Sequence, residues 1–328
     1  MPNTTQVRYT VSVGIGSPPT FYDLVIDTGS RYTWISDRKG YTRTRTRTSV
    51  RQRGKNFAIN YVRGSVRGMD YKDLFTVSPS LSIPNVEFGV ATSMEGIQAE
   101  VDGNNPITPN NGEPTPKFMD NLLAQNMLNW NIFALSFAPV TSQGFVNGQL
   151  TLGGINPAKF IGYMNWVNII DMVPDSKRWS FGLAIAYGGQ WLQQSSVGIM
   201  DSGESLIRIR PETFQAYARS IPGSQIDDTT GLLKIPPGWR SMQSMFFIIN
   251  GLWYELTPGA QLWPRELNHL LGTNDNESYF SVITTLHDQD SSIGDFILGY
   301  PFMQRFYTVY DESRSKIGFA YTPWTYVN

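Results

Sequence analysis

The chain has 328 residues, enough for two domains that each bury a core. Apolar residues make up 41% and charged residues 16%, which excludes global disorder, and a formal net charge of -1 gives no overall pull toward nucleic acid or an anionic membrane. There is no Cys, which excludes disulfides, thiolate catalysis and Cys-ligated metals.

In chain order, "QVRYTVSVGIGSPPTFYDLVID" alternates apolar and polar residues, breaks at Gly16-Ser17-Pro18-Pro19 and resumes, which predicts strand, turn, strand. Residues 31–67 follow, with eleven Lys or Arg against the single acid Asp37. Within them "YTRTRTRTSVRQRGK" alternates with period two, so as a strand it sets Arg43, Arg45 and Arg47 on one face and Thr on the other. Two readings stay open for it: a solvated edge strand, or a patch for phosphate, glycan or an acidic partner. More predicted strands are "KNFAINYV", "DYKDLFTV", "LSIPNVEFGVAT", "NIFALSFAPV" and "GQLTLGGI". Beyond residue 163 the rhythm restarts with "MNWVNIIDMV", "WSFGLAIAYGG", "SVGIMDSG", "SMFFIINGLWYEL", "DFILGY" and "FYTVYD". Helix signals are few: "TPKFMDNLLAQNML", opening at Thr115-Pro116, and "RPETFQAYARS", opening at Pro211 with an acid in its first turn. With 30 Gly, 20 Pro and abundant aromatics, this predicts an all-β chain of two lobes meeting at a cleft.

No apolar run approaches the roughly 18–20 residues a membrane-spanning helix needs, and the first residues lack the basic and apolar regions of a signal peptide. The acceptor tripeptides at Asn3 and Asn276 suit a secreted protein.

One phrase occurs twice, about half a chain apart: "DLVIDTGSRYTWI" around Asp27 and "GIMDSGESLIRI" around Asp201. In each, a largely apolar run ends in Asp, a hydroxyl residue and Gly. Two carboxylates on such turns can share one proton across a cleft, because like charges a few Å apart cannot both ionise. The pair can then serve as general base and general acid toward one water. The turn needs Gly for close backbone approach and the hydroxyls to hold the carboxylates by hydrogen bonds.

These phrases, with "INYVRGSVRGMDYKD", "DFILGYPFMQRFYTVYDESRSKIGFA" and "GLLKIPPGWRSMQSMFFIINGLWYELTPGAQLWPRELN", give the chain a resemblance to the pepsin-like aspartic proteases, in particular the polyporopepsin-like fungal branch. The resemblance implies a bilobal fold with two β-barrel-like lobes, residues 1–163 carrying Asp27 and the flap and residues 164–328 carrying Asp201. It implies an endopeptidase that acts on extended peptides at acidic pH. Asp27 and Asp201 are then the catalytic pair, Thr28 and Ser202 the hydroxyls bracing the two loops, and Ser30 the hydroxyl on the outer oxygen of Asp27. Tyr61 matches the flap tyrosine and Trp34 its partner; Arg63 and Gly64 complete the flap, and Gly29 and Gly203 face substrate. Ile297-Leu298-Gly299 matches the segment beneath the second catalytic loop. No metal or cofactor is implied; a peptide or protein substrate, inhibitors of the pepstatin kind, a monomeric state and an extracellular or vacuolar location are.

Three departures accompany the matches. Glu204 stands where the family usually has Thr or Ser, a third acid that is unfavourable when ionised but can donate a hydrogen bond to Asp201 when protonated. Val62-Arg63 replaces the small residues of the flap tip, and Arg63 predicts a preference for acidic substrate residues. After "EVDG" the chain reads "NNPITPNNGEPTP" instead of an apolar-apolar-Gly strand, so no support is expected beneath Asp27. These departures keep a second reading in view: a pseudoprotease that binds peptides or an inhibitor without cutting. A third, paired-carboxylate glycoside hydrolysis, needs no such symmetry. The two histidines, His269 and His287, read as surface residues, and no nucleotide, zinc or calcium motif occurs.

Overall fold

The computed structural model describes residues 8–30, 32–41, 46–61 (at 53 and 54 by backbone alone), 64–97, 102–107, 118–140, 147–172, 178–287 and 293–327. By its contacts the chain divides into two compact units, Arg8–Asn131 and the stretch from Ile132 onward.

In the first unit the predicted strand-turn-strand forms β1 (Thr10–Ile15) and β2 (Thr20–Asp27), antiparallel with Gly14 opposite Phe21. Then come β3 (Trp34–Ser36), β4 (Val50–Tyr61), β5 (Gly64–Ser78), β6 (Leu81–Glu95) and β7 (Gly103–Pro106). They make one seven-stranded sheet in the order β1-β2-β7-β3-β6-β5-β4, and β1 also pairs with β5, which curls the sheet back on itself. Helix α1 (Phe118–Ala124) buries Phe118, Met119, Asn121 and Leu122; its predicted opening at Thr115-Pro116 lies outside the described residues.

β4 is the edge strand of this sheet, and it starts at Val50, so the Thr-Arg alternation before it is not a strand where it is described. Two of its described threonines nevertheless reach a buried acid with their hydroxyls. The hydroxyls of Thr46 and Thr48 donate to Asp73 Oδ1, and Tyr41 OH donates to Asp73 Oδ2 at 2.8 Å. Asp73 is wholly buried, and the period-two burial of β5 skips at Tyr71-Lys72, so that Asp73 and not Lys72 follows Asp70 on the inner side. Arg47 and Arg51 are exposed, while Arg43 and Arg45 lie outside the described residues.

A second carboxylate on β5, Asp70, is also buried and accepts the Tyr32 hydroxyl at 2.6 Å. Burial raises its pKa above the ordinary carboxylate value; the Tyr32 bond and Lys55 oppose this, and Glu87 adds to it. Over the window between the unfolded and folded values the folded chain holds more protons, so stability falls as pH rises. Asp70→Asn removes this dependence. The melting temperature of the variant minus that of the parent is therefore expected to be larger at pH 7 than at pH 3, and an equal difference at both would refute the assignment.

The second unit opens with β8 (Ile132–Phe137), β9 (Gly148–Leu152), β10 (Ile161–Asn168), β11 (Ser180–Tyr187), β12 (Gln190–Met200) and β13 (Ile207–Ile209). Helix α2 (Pro211–Arg219) starts as predicted, with Pro at its first position and Glu212 in the first turn. β14 (Gln225–Ile226), β15 (Leu233–Ile235), β16 (Met245–Ile249), β17 (Leu252–Leu256), β18 (Tyr279–Phe280), β19 (Ile283–Thr285) and β20 (Phe296–Leu298) follow. Helix α3 (Tyr300–Met303), β21 (Phe306–Asp311) and β22 (Lys316–Tyr321) end the unit. The strands β10-β22-β21-β8-β9 form a five-stranded sheet, β17-β16-β11-β12-β20-β13-β19 a seven-stranded one, and β14-β15-β18 a small third. Asn250-Gly251, both at positive φ, turns β16 into β17 with Ile249 opposite Leu252. Aromatic rings fill the core: Phe133 stacks on Tyr310 with centroids 4.5 Å apart, and Trp179 meets Tyr310 edge-on at 5.0 Å. Among the described residues no helix is long and apolar enough to cross a membrane.

Candidate active site

The same local construction occurs once in each unit. In the first, β2 runs parallel to β7, Leu24 opposite Gly103 and Asp27 opposite Pro106, and β7 pairs antiparallel with β3. In the second, β12 runs parallel to β20, Ile199 opposite Ile297 and Met200 opposite Leu298, and β20 pairs antiparallel with β13. Asp27 and Asp201 each stand where an interior strand gives way to a tight turn.

The turns hold the carboxylates in the same way. Gly29 N–H donates to Asp27 Oδ1 at 2.8 Å, and Gly203 N–H donates to Asp201 Oδ1 at 2.8 Å. This is the local bond by which Asp closes a turn on its own backbone. Ser30 N–H adds a second donor to Asp27 Oδ1 at 3.1 Å. The neighbouring hydroxyl residues, Thr28 and Ser202, are both buried.

Each strand is also pinned lower down by a carboxylate that the sequence reading passed over. Asp102 Oδ2 accepts the backbone N–H of Asp23 at 2.8 Å and Lys39 Nζ at 2.5 Å. Asp295 Oδ2 accepts the backbone N–H of Val197 at 3.0 Å, while its Oδ1 accepts Arg210 Nη2 at 2.6 Å. Asp23 and Val197 hold the same place in the two phrases, four residues before Asp27 and Asp201. The signal was available: an Asp opens both "DGNNP" and "DFILG".

That correspondence overturns the expectation of no strand beneath Asp27. Gly103-Asn104-Asn105-Pro106 forms β7, and its register sets Asn104, Asn105 and Pro106 where the second unit has Ile297, Leu298 and Gly299. Backbone pairing to β2 on one side and β3 on the other holds the strand, so it needs no apolar side chains of its own. Gly299 has a separate reason to be Gly, since a Cβ there would lie 2.2 Å from Leu206 O and 2.4 Å from Glu204 O.

Asn104 puts a side-chain amide into the first half-site. Its Nδ2 lies 2.8 Å from Asp27 Oδ2, 2.5 Å from Ser30 Oγ and 3.4 Å from Tyr61 OH. Tyr61 ends β4 opposite Gly64, and Trp34 Nε1 donates to its hydroxyl at 2.8 Å. Burial, and next the negative charge of Asp27, push the Tyr61 phenol up to about 12, against the opposing bonds from Trp34 and Asn104 and the charge of Arg8. Gly64 is required by packing, since a Cβ would come within 2.3 Å of Glu95 O. Arg63, the predicted flap-tip cation, lies outside the described residues.

In the second half-site Glu204 is engaged by a cation. Arg208 Nε donates to its Oε2 at 2.9 Å and Nη2 to its Oε1 at 3.4 Å, and the backbone N–H groups of Ser205 and Leu206 reach the same Oε1 at 3.1 and 3.3 Å. A carboxylate with these donors acts as an ionised acceptor, which replaces the expectation of a protonated glutamate. Its backbone completes the loop: Glu204 N–H donates to Asp201 O at 3.2 Å, and Glu204 O accepts Tyr300 N–H at 3.0 Å.

His269 and His287 are exposed, and among the described residues no group of three or more His, Asp or Glu is placed to hold a metal ion.

The sequence profile of the eukaryotic aspartyl protease family matches residues 8–322. The chain is 35% identical to polyporopepsin of Irpex lacteus, an alignment covering 99% of this chain and 97% of that protein. Gastricsin of Suncus murinus is 27% identical, over 95% of this chain and 81% of its own length. The crystal structure of the aspartic proteinase from Irpex lacteus superposes with a TM-score of 0.90 at 34% identity, covering 98% of this chain and 96% of that one.

Proposed function

Because the chain belongs to the eukaryotic aspartyl protease family, we propose that it is an endopeptidase that cuts extended polypeptides at acidic pH with Asp27 and Asp201. The observation that carries this reading is the repeated half-site: in each unit an Asp stands at the end of an interior strand, and the second residue on, Gly, donates its N–H to the carboxylate at 2.8 Å.

The chemistry follows from two carboxylates that share one proton. The ionised Asp accepts a proton from water as the water oxygen adds to the peptide carbonyl carbon. The protonated Asp gives its proton to the carbonyl oxygen. Collapse of the tetrahedral intermediate breaks the C–N bond, with a proton delivered to the departing nitrogen. In this reading an N-terminal lobe of residues 1–163 and a C-terminal lobe of residues 164–328 supply one Asp each. Thr28 and Ser202 brace the two turns, and Gly29 and Gly203 leave room for substrate backbone. Tyr61, supported by Trp34, closes over the substrate with Arg63 and Gly64. Ser30 steadies Asp27, and Glu204 holds the second turn through its bond to Arg208. A monomer in an acidic extracellular or vacuolar setting suits this chemistry.

The test is digestion of an unfolded protein between roughly pH 3 and pH 6, the range set by carboxylates sharing a proton, with and without pepstatin. Cleavage that pepstatin stops is the expected result, and intact substrate throughout that range would overturn the proposal. Binding without cleavage rested mainly on an absent strand beneath Asp27, and β7 occupies that place. Peptide retained by a parent chain that cuts nothing would restore it.

A further inference from the structure

We infer that Asn104 is a positioning residue for the carboxylate of Asp27, at a register position where the second unit has the apolar Ile297. The inference rests on the reading of Asp27 as half of the catalytic pair. Three observations point to it. The first is register: Asn104 stands where the second unit has Ile297, a residue that cannot donate a hydrogen bond. The second is geometry: Nδ2 meets Asp27 Oδ2 at 2.8 Å and Ser30 Oγ at 2.5 Å, with Tyr61 OH further off at 3.4 Å. The third is the state of the same amide's oxygen, which is buried without a hydrogen-bond partner.

A buried unpaired carbonyl costs stability, so the place of this amide is set by what its nitrogen does. This one leaves its oxygen unsatisfied and commits its nitrogen to the half-site. The orientation is forced by the carboxylate, since an amide oxygen in the place of Nδ2 would face Asp27 Oδ2 as acceptor against acceptor. Asp27 is consequently held on both oxygens, by the N–H groups of Gly29 and Ser30 on Oδ1 and by the amide of Asn104 on Oδ2. Ser30 Oγ takes part through that same amide, and the contact to Tyr61 ties Asn104 to the end of β4. The second unit shows the alternative construction: Ile297 and Leu298 supply an apolar strand, and Asp201 Oδ1 accepts the N–H of Gly203.

The test is Asn104→Ile, which installs the residue found at the matching position of the second unit, with Asn104→Ala as the substitute should the Ile variant not fold. A positioning role predicts a kcat about tenfold lower, the effect of losing one hydrogen bond to a charged group. KM should stay within about threefold, because the amide acts on Asp27 and not on the bound peptide. The melting temperature should stay close to the parent's, because the lost bond to Asp27 is offset by removal of a buried unpaired carbonyl. A merely structural role predicts the opposite pattern, with stability lost and kcat kept. The second arm is a double-mutant cycle with Ser30→Ala. If both residues act on Asp27 through one shared bond, the double variant loses no more than the worse single variant. A kcat equal to or above the parent's, or losses that multiply independently, would overturn the inference. A parent that cuts nothing removes the reading of Asp27 and this inference with it, whereas a parent that cuts while Asn104→Ile cuts equally well overturns this inference alone.

Discussion

Asp27→Asn and Asp201→Asn, made singly, are each expected to lower kcat/KM on an unfolded protein substrate by about a thousandfold, within the range that a positioned general acid or base supplies. An asparagine cannot take a proton from water or return one to the leaving nitrogen, so neither half of the shared-proton cycle survives alone. Both variants should still fold. At either position the amide oxygen of Asn can accept the glycine N–H that now holds Oδ1 at 2.8 Å. At position 27 the new amide nitrogen would meet Asn104 Nδ2, two donors face to face, where Oδ2 now accepts at 2.8 Å. A rotation of the Asn104 amide relieves this by offering its oxygen, which has no partner in the parent. Melting temperatures close to the parent's, together with retained pepstatin binding, would separate lost chemistry from lost structure. A rate above about one hundredth of the parent's in either variant, after contaminating protease is excluded, would remove that Asp from the chemistry.

The two Asp-hydroxyl-Gly phrases were legible because each half-site is made mostly by its own turn. The bond from Gly29 to Asp27 spans two residues, and so does the one from Gly203 to Asp201. Long strands such as β5, β6 and β11 were legible for a similar reason, as their local runs of aromatic and aliphatic residues mark them without any knowledge of partners. β7 was not. Four residues reading Gly-Asn-Asn-Pro carry no apolar alternation, and only β2 and β3 on either side make them a strand. The short β13 was missed on the same ground, being three residues held between β19 and β20. The described part of the Thr-Arg run before Val50 shows the reverse, where clean alternation suggests a strand and none forms. The inward pull there comes from Asp73, buried some twenty-five residues further along the chain, which Thr46 and Thr48 reach with their hydroxyls. What the chain hides from a reader is pairing between distant segments, and the roles of Asn104, Asp102 and Asp295 all depend on it.

Glu204→Thr, the substitution that restores the family's residue, is expected to destabilise this protein by about 3–5 kcal/mol, the cost of removing one partner from a buried ion pair. The side chain of Arg208 is 3% exposed and that of Glu204 16%. Arg208 sits in the middle of β13, flanked by Ile207 and Ile209 and paired on both sides, and its side chain is buried. Threonine could replace neither the bond to Arg208 Nε at 2.9 Å nor that to Nη2 at 3.4 Å with a negative charge. The expected loss would lower the melting temperature by about 6–20 °C at the usual 2–4 °C per kcal/mol for a domain of 150–250 residues. The second substitution decides the cause: in Glu204→Thr/Arg208→Leu the cation is gone, an apolar side chain fills the strand, and most of the stability should return. If the single variant melts within about 2 °C of the parent, or the double variant recovers nothing, the pair is not what holds this loop. Glu204 and Arg208 are then a coupled exchange for the hydroxyl the family uses, and either alone is harmful. An Arg inside the apolar run "SLIRI" was the sequence sign that a carboxylate had to lie close by, and Glu204, which looked like an intruder beside Asp201, is that carboxylate.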